Sequence, residues 1–436
     1  MEQAGLNQLQ DIGRAIDAFK KSGKPVIAYA DSLSQGQYYL AAQGDKVYLN
    51  PMGEVDLHGF GVFRLYMREL LDKLKISFHI FKVGTFKSAL EPFLRNDMSP
   101  EAKEANQQWL SQLWQQFCDD IAKQRGISLQ NIHAAIEQLP KKLQETGGDT
   151  AKMAIKLGLI DGIKTRAEFR EHLISLVGRN KKQTGFKQVA FSNYLETLTP
   201  AYQAPISKEK HVALIIAQGD IVYGNAEIGQ IGSSGLTTLL RKARQKKNVK
   251  AVVLRIDSGG GSAVASEIIR QEILQLQKAG KPVVVSMGSM AASGAYWLAA
   301  DADKIYASPN TITGSIGIFG AFPTIEKSLA EIGVFNDGIG TTKMAGQRSL
   351  TRSMSDEFRA AVQLNIEHGY RQFIQIVANG RGMEQAEVEQ IAQGRVWDGT
   401  TAVQLGLVDE LGNLEDAVTT ADKPTSLAAV VTASSR

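Results

Sequence analysis

Two stretches of the sequence carry residue types whose spacing suits acyl chemistry. Residues 252–262 read Val-Val-Leu-Arg-Ile-Asp-Ser-Gly-Gly-Gly-Ser, an apolar run that breaks into three glycines. Glycines let backbone N–H groups approach a ligand with no Cβ in the way. Where such a turn opens a helix, those donors can hold a phosphate or an oxyanion. A dinucleotide fingerprint would need a third small residue, and Gly259-x-Gly261-x-x-Val264 supplies valine instead. A glycine turn that merely joins strand to helix is the plain alternative. Residues 283–297 read Val-Val-Val-Ser-Met-Gly-Ser-Met-Ala-Ala-Ser-Gly-Ala-Tyr-Trp, a strand leading through small residues to a helix predicted to start near Ser293. A serine at such a start is placed to attack a carbonyl, with the Gly294 N–H ready for the developing oxyanion. Close packing of small residues is the competing explanation.

A serine nucleophile needs a base. The six histidines (His58, His79, His133, His172, His211 and His368) show neither a metal-ligand pair nor a triad spacing. A lysine can serve if burial or a neighbouring cation lowers its pKa from about 10.4 towards neutrality. Lys87 sits among apolar and small residues in Val83-Gly84-Thr85-Phe86-Lys87-Ser88-Ala89-Leu90, which can desolvate it. Composition alone does not single it out.

These candidates must be positioned by elements, and the elements occur twice. Gly23-Lys24-Pro25-Val26 recurs as Gly280-Lys281-Pro282-Val283. Gly36, Leu40, Ala41, Asp45, Lys46, Tyr48 and Pro51 meet Gly294, Leu298, Ala299, Asp303, Lys304, Tyr306 and Pro309 at a constant offset of 258. The offset becomes 256 further on, from Gly84-Thr85 with Gly340-Thr341 to Gln116-Phe117 with Gln372-Phe373. A self-similarity that keeps order and spacing over this length marks an internal repeat. Ser293 corresponds to Gln35, so packing in the repeat does not demand a serine there. Lys343 corresponds to Lys87 and is a rival base.

Each unit reads as α/β. Short β-branched runs at 211–216, 249–256 and 282–286 alternate with helical patterns such as 262–278, which implies parallel strands joined by right-handed crossovers. Ser99-Pro100-Glu101 opens a long helix running to Gly126, with serine at the N-cap and proline in the first turn. The expected organisation is a first unit at 1–178, a polar linker at 179–210 and a second unit at 211–436. The second unit has two strands before its glycine turn, while the first begins at the equivalent of that turn. The first unit is therefore expected to be truncated at its N-terminus.

The 436 residues are 43% hydrophobic and 22% charged, which excludes a disordered or collagen-like chain. A net charge of +4 without a basic block gives no reason to expect nucleic acid. One cysteine, Cys118, cannot form an internal disulfide and reads as a buried apolar residue. No apolar run is long enough for a membrane helix, so the chain as it stands is expected to be soluble.

Together the segments around Gln35, Val55 to Phe60, Lys87, Met290 to Trp297 and Thr313 to Gly320 resemble the signal peptide peptidase A (protease IV) family in its two-unit form. The resemblance runs from about Gln10 to Val418. It implies a tandem repeat of two Clp protease/crotonase-like α/β domains and a serine endopeptidase with a Ser–Lys dyad. Ser293 would be the nucleophile, Lys87 the general base, and Gly260, Gly261 and Gly294 the oxyanion donors. Short one-unit relatives place serine and lysine about fifty residues apart, as Ser293 and Lys343 are, which keeps Lys343 as the alternative. The resemblance further implies released signal peptides and other apolar peptides as substrates, a homo-oligomer (a tetramer), no cofactor, and an anchored enzyme on the periplasmic face of the bacterial inner membrane. Gly259 stands where the family usually has proline, and the tail after Val418 no longer follows the family. An acyl-CoA enzyme of the same fold and an inactive homologue that only binds peptides are the rival functions.

Overall fold

The computed structural model describes residues 5–183, 185–197, 210–339, 341–342, 344–423 and 428–434. The chain divides into two compact units, one of Met1–Gly61 and Leu110–Pro205, the other of Val62–Trp109 and Ile206–Arg436. This division departs from the sequence repeat, which assigns 62–109 to the first unit. The physical reason is strand pairing: Ser77–Val83 runs antiparallel to Ile318–Thr324, with Val83 opposite Ile318 and Ser77 opposite Thr324.

In the second unit the sheet order is Val396–Asp398, Ile312–Gly314, Val283–Ala292, Val249–Ser258, His211–Gln218 and Ala428–Ser434. Pairing is parallel except between Ile312–Gly314 and Val396–Asp398. Lys304–Ala307 also pairs with Val283–Ala292, along its first half. The two central strands, Val249–Ser258 and Val283–Ala292, read as nearly unbroken apolar runs because both their faces are covered. Their inward side chains meet Ile269, Ile273 and Leu276 of helix Ala263–Lys278, whose N-cap Ser262 accepts the Ala265 N–H. Burial of that helix face is what turns its 3.6-residue period into a fixed position.

The first unit has a three-stranded parallel sheet, Ile27–Ala30, Lys46–Leu49 and Gly162–Ile163. It packs on a core that includes Tyr38, Val47, Leu49, Phe117, Ile121 and Leu159. Cys118 lies in this core, and burial pushes its thiol up to about 12, which leaves it inert.

The repeat extends to individual contacts. Tyr38 Oη donates to Leu159 O at 2.8 Å, and Tyr296 Oη to Leu407 O at 2.8 Å. Asp161 accepts the Val47 N–H at 2.8 Å and pairs with Arg125 at 2.8 Å; Asp409 accepts the Ile305 N–H at 2.6 Å and pairs with Arg381 at 2.6 Å. Glu91 accepts the Ser99 N–H at 3.2 Å where Gln347 accepts the Ser355 N–H at 2.8 Å, each serine preceding a long helix, Pro100–Arg125 and Asp356–Arg381. Two α/β units built on one plan is therefore the fold class. The stretch expected as a linker holds a short helix, Phe191–Thr197. Among the described residues no helix is long and apolar enough to cross a membrane.

Candidate active site

Ser293 joins the strand Val283–Ala292 to the helix Gly294–Ala299, every residue of which is buried. Its backbone has φ +54° and ψ −120°, a conformation that costs a non-glycine residue about 1–3 kcal/mol and persists only when the surroundings impose it. The surroundings do so through two hydrogen bonds: the Ser293 N–H donates to Gly314 O at 2.8 Å, and Ser293 O accepts from the Trp297 N–H at 2.9 Å. A sharp strand-to-helix turn of this kind lifts a serine side chain off the sheet.

Lys87 approaches that side chain within the same compact unit. Its Nζ donates to Ser293 Oγ at 3.1 Å, to Ser315 O at 2.9 Å and to Ser315 Oγ at 2.9 Å. The lysine is 5% exposed, and burial lowers its pKa from the ordinary lysine value to about 8. A buried amine whose pKa is lowered to about 8 keeps an appreciable neutral fraction near physiological pH, and hydrogen-bonded to a serine hydroxyl it is equipped to take its proton. Phe319 lies close by, with its ring centroid 5.9 Å from the amine.

The glycine turn packs directly behind the serine. Gly260 has φ +103°, and a Cβ there would come within 2.7 Å of Gly294 N and 2.9 Å of Ser293 Cβ. The turn is stapled to strand Asp220–Val222 by Ile221 N–H to Gly260 O at 2.8 Å and Ser262 N–H to Ile221 O at 2.9 Å. The Gly260 N–H is itself taken by Ser258 Oγ at 3.1 Å. Gly261 and Gly294 are neighbours, since a Cβ on Gly294 would stand 3.2 Å from Gly261 N. Lys87, Ser293 and this turn line a cleft of about 370 Å³ whose apolar walls include Phe86, Ala89, Ala102, Ala105, Phe319 and Val396, with Arg64 and Asp220 as charged residues.

The position of the first unit that corresponds to Ser293 is filled differently. Gln35 is buried, its Oε1 accepting the N–H groups of His58 at 3.1 Å and Gly59 at 2.9 Å, while its Nε2 donates to Gly59 O at 3.1 Å. Lys343, the alternative base, lies outside the described residues. Sequence reasoning gave no role to Ser315, although the stretch containing it carries part of the resemblance; its φ of +52° has no signature in the sequence. Nor did it single out the turn at Gln393 to Arg395, which closes against Lys87.

Geometry and ancestry agree on the class. Residues 18–177 and 275–428 match the model of peptidase family S49, and the chain belongs to that family. "Protease 4" of Haemophilus influenzae is 45% identical over 97% of this chain and 68% of its own length, and "Protease 4" of Salmonella typhi 44% identical over 93% and 65%. The "Serine protease SPPA, chloroplastic" of Arabidopsis thaliana is 28% identical over 97% of this chain and 62% of its own. The chain thus spans about two-thirds of the length of these curated relatives. Among solved structures, a ClpP1 variant from Listeria monocytogenes aligns with 47% of this chain at 15% identity and a TM-score of 0.32, too low to bear on the fold.

Proposed function

We propose that the chain is a serine endopeptidase in which neutral Lys87 is the general base and Ser293 the nucleophile. The observation that carries this reading is the 3.1 Å contact between a buried amine and the hydroxyl of a serine held at positive φ. Lys87 Nζ takes the Ser293 hydroxyl proton as Oγ bonds to the scissile carbonyl carbon. The negative charge that develops on the carbonyl oxygen is held by the Gly261 and Gly294 N–H groups, while Gly260, its amide engaged by Ser258, shapes the turn. Collapse of this intermediate breaks the C–N bond, and the protonated lysine returns its proton to the leaving amine. Water, deprotonated by the same lysine, then releases the acyl group and restores Ser293.

The apolar walls of the cleft favour extended apolar peptides, and released signal peptides fit that description. Action on them as a homo-oligomer at the periplasmic face of an inner membrane comes with the resemblance. The reading is tested by hydrolysis of a labelled apolar signal peptide by the parent chain and by Ser293→Ala, Lys87→Ala and Lys343→Ala. Loss in the first two with retention in the third is expected. Activity that survives Lys87→Ala and dies with Lys343→Ala moves the base to Lys343, and a folded but inert parent chain removes the enzymatic reading.

A further inference from the structure

The segment bearing Lys87 closes against the turn Gln393 to Arg395. Gln393 O accepts the Phe86 N–H at 2.9 Å and Gln393 Oε1 accepts the Thr85 N–H at 3.1 Å. Gln393 has φ +54°, a left-handed conformation a non-glycine residue adopts at a cost. Gly394 lies beneath the lysine, since a Cβ there would come within 2.7 Å of Lys87 Cβ and 2.8 Å of Lys87 N.

Arg395 reaches in two directions from this turn. Its guanidinium carbon lies 4.7 Å from the Phe86 ring centroid and 4.6 Å from that of Trp397. Its Nη2 pairs with Glu104 at 2.9 Å and donates to Gln108 Oε1 at 2.7 Å. Its carbonyl accepts the Ser315 N–H at 2.7 Å. Phe86 precedes Lys87 in the chain, and Ser315 supplies two of the three oxygens that receive the lysine amine.

We propose that Arg395 is a positioning residue for the Lys87 amine, its guanidinium fixing the lysine's root through Phe86 while its backbone carbonyl, which Arg395→Lys leaves in place, holds Ser315. The inference rests on Lys87 being the base. A lysine side chain has four rotatable bonds, and a misplacement of about 1 Å at a reacting group can cost on the order of 10²-fold in rate. A planar guanidinium set against two rings while hydrogen-bonded at its edge is a geometry that an ammonium does not reproduce. Arg395→Lys therefore keeps the charge and loses the clamp.

The test is the rate at which a fluorophosphonate probe labels Ser293, followed against pH, in the parent, Arg395→Lys, Phe86→Leu and the double variant, with thermal melting alongside. Lys87→Ala and Ser293→Ala serve as controls. Arg395→Lys and Phe86→Leu are each expected to slow labelling by about tenfold or more. Each should also raise the pH midpoint, because a lysine released towards solvent regains its ordinary pKa; the charged residues facing the same cleft, Arg64 and Asp220, are unchanged. The double variant should be no slower than the slower single, as expected when two residues act through one contact.

Parent-like labelling and midpoint in Arg395→Lys overturns the proposal, and so do single effects that multiply in the double variant. If Arg395→Lys fails to melt cooperatively, Phe86→Leu decides by the same midpoint. Labelling of Lys87→Ala at the parent rate overturns the assignment of the base itself, a result separable from the failure of Arg395 alone.

Discussion

Lys87 and Ser293 stand 206 positions apart in the chain and 3.1 Å apart in space, the amine donating to the hydroxyl. The amine has no carboxylate partner in this contact; its other bonds go to Ser315, and burial alone depresses its pKa to about 8. If the neutral amine is the base, kcat/KM should rise about tenfold per pH unit below pH 8 and level off above it. A profile already flat at pH 6 would assign the proton transfer to another group. Rates measured on one peptide from pH 5.5 to 10 separate the two.

The same burial has a cost in stability. The folded-state pKa lies near 8 and that of an unfolded lysine near 10.4, so between those values the unfolded chain binds more protons. Stability therefore rises with pH through this window, and below it the buried lysine costs roughly 3 kcal/mol at about 1.4 kcal/mol per pKa unit. Lys87→Met should raise unfolding free energy at pH 7 by about 1–2 kcal/mol while removing activity, with hydrogen bonds lost to Ser315 accounting for the shortfall. The gain should shrink towards pH 10. Urea titrations at pH 7 and 9.5 measure both, and a destabilised variant at pH 7 would show that the hydrogen bonds outweigh the desolvation.

Gly260 lacks room for a side chain on the face it turns to Ser293. A methyl there meets Gly294 N at 2.7 Å and Ser293 Cβ at 2.9 Å, and φ +103° is already unfavourable for alanine. Gly260→Ala should displace the turn and its donors, costing about 10²–10³ in kcat, the range seen when one oxyanion donor is removed. Circular dichroism should still report a folded protein, and a kcat within a factor of three of the parent would remove this turn from the oxyanion site.

Gln35 gives the opposite expectation. Its carboxamide oxygen serves the His58 and Gly59 amides, so Gln35→Ala leaves partly buried donors without their acceptor. A loss of about 1–2 kcal/mol in stability with unchanged turnover is expected. Lower turnover at undiminished stability would mean that this position contributes to catalysis after all.

Much of the plan was legible because it recurs. Tyr38 and Tyr296 stand at the 258 offset of the repeat, and their hydroxyls donate to Leu159 O and Leu407 O in the same way. Strands such as Val249–Ser258 were visible as β-branched runs, and the helix after Ser262 by its period and its cap. The hidden parts depend on backbone dihedral angles and on contacts between distant segments. Nothing in Thr313-Gly314-Ser315 announces a positive φ at a serine, and no local pattern couples Phe86 to Arg395 across 309 positions. The antiparallel pairing that carries 62–109 into the second unit is likewise a long-range choice, made by strand edges and not by the propensities of either strand.

That exchange of Val62–Trp109 bears on how such a chain can change over generations. If Lys87 is the base, the serine of one repeat relies on a lysine that the sequence repeat assigns to the other, and neither could be deleted, shuffled to another gene or inherited alone without loss of the pair. A polypeptide starting at His211 would inherit Ser293 and its glycine turn but not Lys87. On that reading the lending of a single segment binds both halves to descend together, even though the first carries Gln35 where the serine would be.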